Sequence, residues 1–598
     1  MGGLAGIVHF QGDPPGIPEV RAIMARQRHR SPGLDEAVNA FAEGPAVFAP
    51  DAHIGAERVV MVNGTLWGPT LDDVAVPTPA QIVDVAFGRF GLAALDRLEG
   101  EFALAVWDRQ TEQLVLARDG LGTRPLFWCD RGGRLAFASE LPALLSVSWV
   151  PTELDRSRLA EYLSFQVVHA PRTLIRGVKQ VDAGNVVVAQ GTDRKVKRYW
   201  WLNYAPPGTP RPPDTDVVDR LQRIVGRAVA RRIPQAQPTG LYLSGGLGSS
   251  VIAAAAGERY LHLPSFTVGF ADDPYPETPF AGRVATLMGL EHHEVVVGTA
   301  ALAETFDATV STLGHPIGHP AVLLQRALAQ QTRAHVEVVL SGNGGEALFG
   351  GRQLDGLARD LRLAGWFQQL PKMVREPLSK WIGRNPGGRR LVTAPRDYAL
   401  KLGLGGASLF SVEERTRLLR DSGLVRPGIR QRVLEPWYVD VETDPVNLVL
   451  HGLLRSTLAE RALPRAERTA AAAGLDVRFP LLDADVVKAA VALPGASKVR
   501  RVSGSLHTRW PLRGMLAGVL PPVLVDRPKR SLPTPPGMWL AGPGRLFMES
   551  RVRQLLDDPF GLWQADAIEK LRADVTRSNA AGFRLWTLFV LDSWLRSF

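Results

Sequence analysis

Five of the ten residues from Tyr204 to Pro213 are proline, at positions 206, 207, 210, 212 and 213. Proline fixes φ near −65° and has no N–H to donate, so so dense a run excludes helix and central strand and favours a stiff, extended linker. A chain of 598 residues exceeds what one hydrophobic core usually supports. The linker, 204–213, is therefore read as dividing a domain at 1–203 from one at 214–598. With 45% hydrophobic and 22% charged residues, the composition is that of an ordinary globular protein and excludes a disordered one.

Before the linker, short apolar runs at 58–62, 102–106, 113–117 and 185–189 alternate with turn residues. This pattern predicts a β-rich domain. After it, Val217, Leu221, Ile224 and Ala228 fall at helical spacing, with Asp214 or Asp216 offered as N-cap. A strand at 240–243 then runs into Ser244-Gly245-Gly246-Leu247-Gly248-Ser249-Ser250 and an alanine-rich helix. A second strand, 265–270, is followed by a helix through Phe280 to Leu287, and a third, 336–340, runs into Ser341-Gly342-Asn343-Gly344-Gly345. Strands alternating with helices predict a parallel α/β sheet whose ligands sit at the strand C-termini. From about Arg352 onward helix dominates, with breaks at Pro371, Pro480, Pro521 and Pro533.

Other classes are set aside on composition. One cysteine, Cys129, in the apolar run Pro125-Leu126-Phe127-Trp128, rules out internal disulfides and reads as a buried thiol. No apolar window approaches the ~20 residues that span a bilayer, and the opening residues lack a signal-peptide pattern. Gly6 stands where a myristoylation signal at Gly2 wants Ser or Thr. A cytoplasmic location without membrane attachment is the expectation. The formal net charge of +10, with arginines gathered at 352–432 and 500–530, could serve nucleic acid. Without interleaved aromatics or a recognition helix it reads as solvated surface, so no nucleic-acid partner is expected. His315 and His319 are four apart, but Pro316 and Pro320 break any helix that would align them, and no zinc is expected.

The glycine-rich turn at 244–250 carries the chemistry. Small residues let backbone N–H groups at a helix start approach a polyphosphate, and serine hydroxyls add donors. It is no Walker loop, since no Gly-Lys-Ser/Thr follows. Taken alone, the same turn would also serve tight strand-to-helix packing.

SGGLGSS resembles the pyrophosphatase loop SGGLDSS of the asparagine synthetase B family, and SGNGGEALFGG at 341–351 resembles its SGDGGDELFGG. Residues 473–483, AGLDVRFPLLD, resemble SLEVRVPFLD; Arg527-Pro528-Lys529 resembles RPK; and residues 585–595 resemble the family's C-terminal helix. In the N-terminal part His29-Arg30-Ser31-Pro32 resembles HRGP, Val62-Asn63-Gly64 resembles FNGE, and 117–126 and 137–140 match closely. The resemblance implies an α/β protein in two parts. An N-terminal class II glutamine amidotransferase-like (Ntn) β-rich sandwich precedes a C-terminal adenine-nucleotide α-hydrolase-like parallel α/β synthetase domain with a helical extension. It further implies ATP and Mg²⁺, and activation of a carboxylate as an acyl-adenylate that an amine then attacks. Residues carried over to the nucleotide are Ser244, Gly245, Gly246, Ser249, Ser250, Val268, Gly342, Gly344, Gly345 and Arg509. Glu346 is carried over as a catalytic residue and metal ligand, and Lys529 as a catalytic residue.

The departures from the family pattern matter as much. Gly2 stands where hydrolysing members carry the cysteine nucleophile, so no glutamyl-thioester can form. The acidic pair that grips the substrate amino group is replaced around Thr78-Pro79-Ala80-Gln81, and the arginine-bearing segment before Val59 is shortened. Gly248 replaces the first metal aspartate, Glu346 replaces the second, and Asn343 and Ala347 replace further acids. One carboxylate weakens a Mg²⁺ site without abolishing it, because phosphates and waters complete the octahedron.

Two readings of function follow. One is an amide ligase that uses an amine other than glutamine-derived ammonia, as β-lactam synthetase and lasso-peptide cyclases do, with small-molecule or peptide carboxylate and amine substrates. The other is a catalytically silent scaffold or partner subunit. A homodimer or a heteromeric complex is compatible with either.

Overall fold

The computed structural model describes residues 2–30, 40–49, 52–68, 77–257, 260, 263–271, 273, 276–351, 354, 367, 369–382, 409–502, 505–527 and 536–597. Strands β1 (Ala5–His9), β2 (Phe41–Glu43), β3 (Ala46–Phe48), β4 (His53–Ile54), β5 (Arg58–Gly68), β6 (Glu99–Asp108), β7 (Gln113–Arg118), β8 (Phe127–Arg131), β9 (Arg134–Ala138), β10 (Val178–Gln180), β11 (Asn185–Gln190) and β12 (Asp193–Arg198) precede the proline run. They form two six-stranded sheets, ordered β10-β8-β9-β1-β3-β2 and β12-β11-β7-β6-β5-β4.

Alternation along β6 explains how the sheets stack. Ala103, Ala105 and Trp107 join the core shared with the first sheet, where the Trp107 ring lies 6.5 Å from that of Phe48. Phe102, Leu104 and Val106 point the other way, into a separate cluster with Ile82, Val83 and Phe87 of the helix Pro79–Phe90. A period of two thus buries both faces of one strand. Cys129, in β8, is 1% exposed, and burial pushes its thiol up to about 11.

The proline run carries neither helix nor strand, and it lies against the second half of the chain. Ala205 N donates to Val491 O, and Thr443 donates to Ala205 O. The helix Asp214–Ala230 follows, and its N-cap is Pro213 with no side-chain cap. The expected aspartate cap is a correction: Asp214 instead accepts from Arg211, from Arg500 at 2.7 Å and from Trp510 at 3.0 Å. Two guanidinium partners outbid a backbone N–H for one carboxylate.

Strands β13 (Thr239–Tyr242), β14 (Ser265–Phe270), β15 (His292–Val297), β16 (Val338–Leu340) and β17 (Asp476–Arg478) form a parallel sheet ordered β15-β14-β13-β16-β17. The chain moves outward from β13 in one direction, then returns to build the other side. The order therefore reverses between β13 and β16, where an open α/β sheet leaves its crevice.

The two halves meet through charge as well as apolar surface. Arg30 donates to Glu467, Arg124 to Asp476, Arg232 to Glu101, and Arg455 to Asp182. Tyr162 donates to Thr587 O and Gln166 to Thr587 Oγ1. Arg30, Arg124, Arg232 and Glu467 are each under 3% exposed. Among the described residues no helix is long and apolar enough to cross a membrane.

Candidate active site

Both glycine-rich loops leave the sheet at this reversal. In the first, Gly245 adopts φ 62°, and a Cβ there would lie 2.9 Å from Ala281 N, so only glycine fits the turn. Ser249 fixes its shape by accepting from Ser244 N at 3.2 Å and donating to Gly246 O at 3.0 Å. The helix Leu247–Gly257 starts within the loop. In the second, Ser341 N donates to Arg478 O, Gly344 adopts φ 105°, and the short helix Gly345–Phe349 follows.

The loops touch backbone to backbone. A Cβ on Gly342 would lie 2.5 Å from Ser249 N, and one on Gly248 would lie 2.8 Å from Gly342 O. The glycine at 248 is thus matched to its neighbour.

A cavity of about 700 Å³ opens between them. Of the sequence-derived residues, Ser244, Ser249, Val268, Gly342, Gly345, Glu346 and Arg509 line it. Gly245, Gly246, Ser250 and Gly344 sit in the same loops behind that lining, with Ser250 only 1% exposed. Lys529 lies outside the described residues, as do Ser31 and Pro32.

Arg509 takes the left-handed conformation, φ 58°, at the start of the helix Trp510–Leu516, and its N–H donates to Phe349 O. Such backbone in a non-glycine residue is sparse and concentrates at functional sites. Its guanidinium comes 3.5 Å from Glu346, whose side chain is 47% exposed. Glu346 and Glu277 are the carboxylates lining the cavity. Glu277 is gripped by Arg527 at 2.8 and 3.0 Å, and Arg527 also donates to Gly245 O. The donor set suits a polyphosphate, and it offers one carboxylate for a divalent metal that phosphates and water would otherwise surround.

Sequence reasoning passed over the helical wall. Arg465, Thr469 and Gln325 line the cavity too, as does His319, which the sequence raises only as a zinc ligand, and Arg465 Nε donates to Gln325 at 2.5 Å. Burial, with Arg461 beside it, draws the Arg465 pKa down to about 10. Burial and the charges of Arg465 and Arg461 hold His319 well below its ordinary value, so it is neutral. Its Nδ1 accepts from Ala321 N, which leaves the proton on Nε2. Arginines at 461, 465 and 468 recur at helical spacing, the signal that could have flagged this face.

At the other end of the chain, residue 2 has no side chain. A Cβ on Gly3 would meet Gln27 Nε2 at 2.7 Å, and that amide donates to Leu4 O. Thr78 and Gln81 cap the helix Pro79–Phe90 reciprocally. His29 and Arg30 both turn to Glu140.

Comparison with known proteins accords with this geometry. Residues 220–596 match the model of the family "Asparagine synthase", and residues 78–200 match that of "Glutamine amidotransferase domain". A Mycobacterium tuberculosis (strain ATCC 25618 / H37Rv) protein named "Putative asparagine synthetase (glutamine-hydrolyzing)" is 30% identical over 532 residues, 85% of this chain and 78% of that one. "Asparagine synthetase (glutamine-hydrolyzing) 1" of Bacillus subtilis (strain 168) is 25% identical over 84% of this chain and 78% of its own. "Amidase chyE" of Penicillium rubens is 27% identical over 45% of this chain and 42% of its own. Among solved structures, one titled as the allosteric regulatory enzyme of purine biosynthesis reaches a TM-score of only 0.26 at 12% identity, over 49% of this chain and 80% of that chain, too low to carry an argument. With its C-terminal sheet, its paired glycine loops and a match spanning 220–596, this chain belongs to the asparagine synthase family, with a glutamine amidotransferase domain ahead of the synthetase part.

Proposed function

We propose that the chain is an ATP-dependent amide-forming ligase that activates a carboxylate as an acyl-adenylate and draws its amine from a source other than glutamine. The observation that carries this reading is the 700 Å³ cavity at the sheet's reversal point, lined by both glycine loops and by Arg509. Closed or filled loops would have left no room for a nucleoside triphosphate.

The residues divide the work by position. Backbone N–H groups of the two loops hold the phosphates, and Arg509 balances their charge as the pyrophosphate departs. Glu346 would supply one carboxylate to a divalent metal, with phosphates and water completing its shell. Lys529, carried over from the RPK motif, is assigned to stabilise the charge that develops on the reacting phosphate. Arg465, with Gln325 and neutral His319 as further donors, orients an anionic part of the acyl substrate.

Support for the second half of the reading lies at Gly2. No side chain there can attack glutamine, and His29 and Arg30 both bond to Glu140, with Arg30 reaching on to Glu467. Incubation with glutamine is expected to release no glutamate. ATP at a hundred times its Kd should stabilise the fold by about 2.7 kcal/mol. Glutamate release would overturn the amine assignment.

A silent scaffold is the second reading, and the absence of carboxylates at Gly248, Asn343 and Ala347 favours it. It predicts no ATP-dependent stabilisation, so the same thermal measurement separates the two.

A further inference from the structure

If the N-terminal domain hydrolyses nothing, something else must account for the care with which it is attached. Two of its buried charged residues, Glu101 and Arg124, reach one segment of the synthetase half, residues 476–479. Glu101, in β6, accepts from Phe479 N at 2.9 Å and from Arg232 at 2.8 Å. Arg124 donates to Asp476 at 2.8 Å and to Val477 O at 3.2 Å. Arg124 is itself held in place, because Arg118 donates to the carbonyls of Arg124, Gly122 and Val181.

That segment runs directly under the nucleotide loops. β17 pairs in parallel with β16, and its last carbonyl, Arg478 O, accepts from Ser341 N at the root of the second loop. The turn Pro480–Leu482 comes next, and its leucines are wedged beneath both loops. Cβ atoms on Gly345 and Gly248 would lie 3.3 and 3.6 Å from Leu481, and one on Gly344 would overlap Leu482. Asp483 closes the turn, clamped by Arg231 and Arg232. Glycines at 245, 246, 248, 342, 344 and 345 leave few side chains to set loop shape, so beyond the bonds of Ser249 the loops rest on Leu481 and Leu482 beneath them.

We infer that Glu101 and Arg124 are positioning residues for the two nucleotide loops, acting through residues 476–482, and that the N-terminal domain is retained as part of the synthetase site. The functional consequence rests on the ATP reading above, whereas the mechanical link does not.

The experiment measures amide hydrogen exchange of peptides covering 246–249 and 342–345 in the full chain. It compares wild type with Glu101→Ala, Glu101→Gln and Asp182→Asn. The last removes the charge from another buried contact between the halves, Asp182 with Arg455, which does not run to β17. Glu101→Ala is expected to speed loop exchange roughly tenfold, Glu101→Gln by less because it keeps an acceptor for Phe479 N, and Asp182→Asn to leave it unchanged. In ATP turnover, Glu101→Ala raises KM for ATP more than it lowers kcat. Loops as protected in Glu101→Ala as in wild type, or loosened equally by Asp182→Asn, would overturn the inference. Loosened loops in a chain that binds no ATP would uphold it and count against the ligase reading alone.

Discussion

At the scale of single residues, the site is governed by what glycine permits. Gly342 faces backbone, Ser249 N and Cα, so nothing nearby can yield to a side chain. Gly342→Ala should cost about 1–3 kcal/mol and abolish nucleotide-dependent stabilisation, both read from thermal unfolding with and without ATP. Lys498 offers a separate test away from the cavity. Burial draws its amine down to about 7, against the nearby Asp444, while it donates to Asn447. The unfolded chain holds this proton up to about pH 10.5 and the folded chain only to about 7. The unfolded state therefore binds more protons in that window, and stability rises with pH there. The penalty is full below pH 7. Lys498→Met should remove it, so the Tm advantage of the variant shrinks between pH 7 and 10; an advantage independent of pH would contradict the assignment. Much at this scale was legible in sequence, since both loops announced themselves as small-residue turns after apolar strands. Arg465 and Gln325 were not, because a basic helical face looks the same whether it meets solvent or a cavity.

At the scale of elements, the interface contacts outweigh propensity. Arg30 bridges Glu140 and Glu467 at full burial, and removing one partner of a buried pair typically costs 3–5 kcal/mol. Burial pushes the Glu140 carboxyl up, but the Arg30 charge and the His29 contact override it and hold the group at about 2. A carboxyl held down contributes stability above its unfolded value near 4.5, and that contribution is lost as pH falls toward 2. Arg30→Met should therefore destabilise by several kcal/mol at pH 7, with a smaller deficit at pH 4, where the orphaned carboxyls take up protons. Urea unfolding at the two pH values checks this. Strand positions were readable from alternation, and β14 matches its apolar run at 265–270 residue for residue. The helix at Asp214 was readable too. Its cap was not, because Asp214 is claimed by Arg500 and Trp510, nearly three hundred residues away in sequence. Neither periodicity nor local chemistry carries that information.

At the scale of the whole molecule, a buried ionic seam joins the two halves. Arg124 with Asp476, Arg232 with Glu101 and Arg455 with Asp182 cross it. Halves joined this way should unfold together, giving one calorimetric transition; two well-separated transitions would show that the seam couples little. The proline run suggested separation, and sequence offered no sign of the seam, since its partners lie hundreds of residues apart. The reversal point between β13 and β16 gives the molecule a cavity of about 700 Å³, and the central claim is that this cavity activates a carboxylate with ATP. The direct measurement is isotope exchange between pyrophosphate and ATP, with Mg²⁺ and a panel of carboxylic acids. Exchange that depends on the acid, and that disappears in Lys529→Ala and Arg509→Ala, is what the account predicts. No exchange with any acid, from a chain that is folded and shows no stabilisation by ATP, would contradict it.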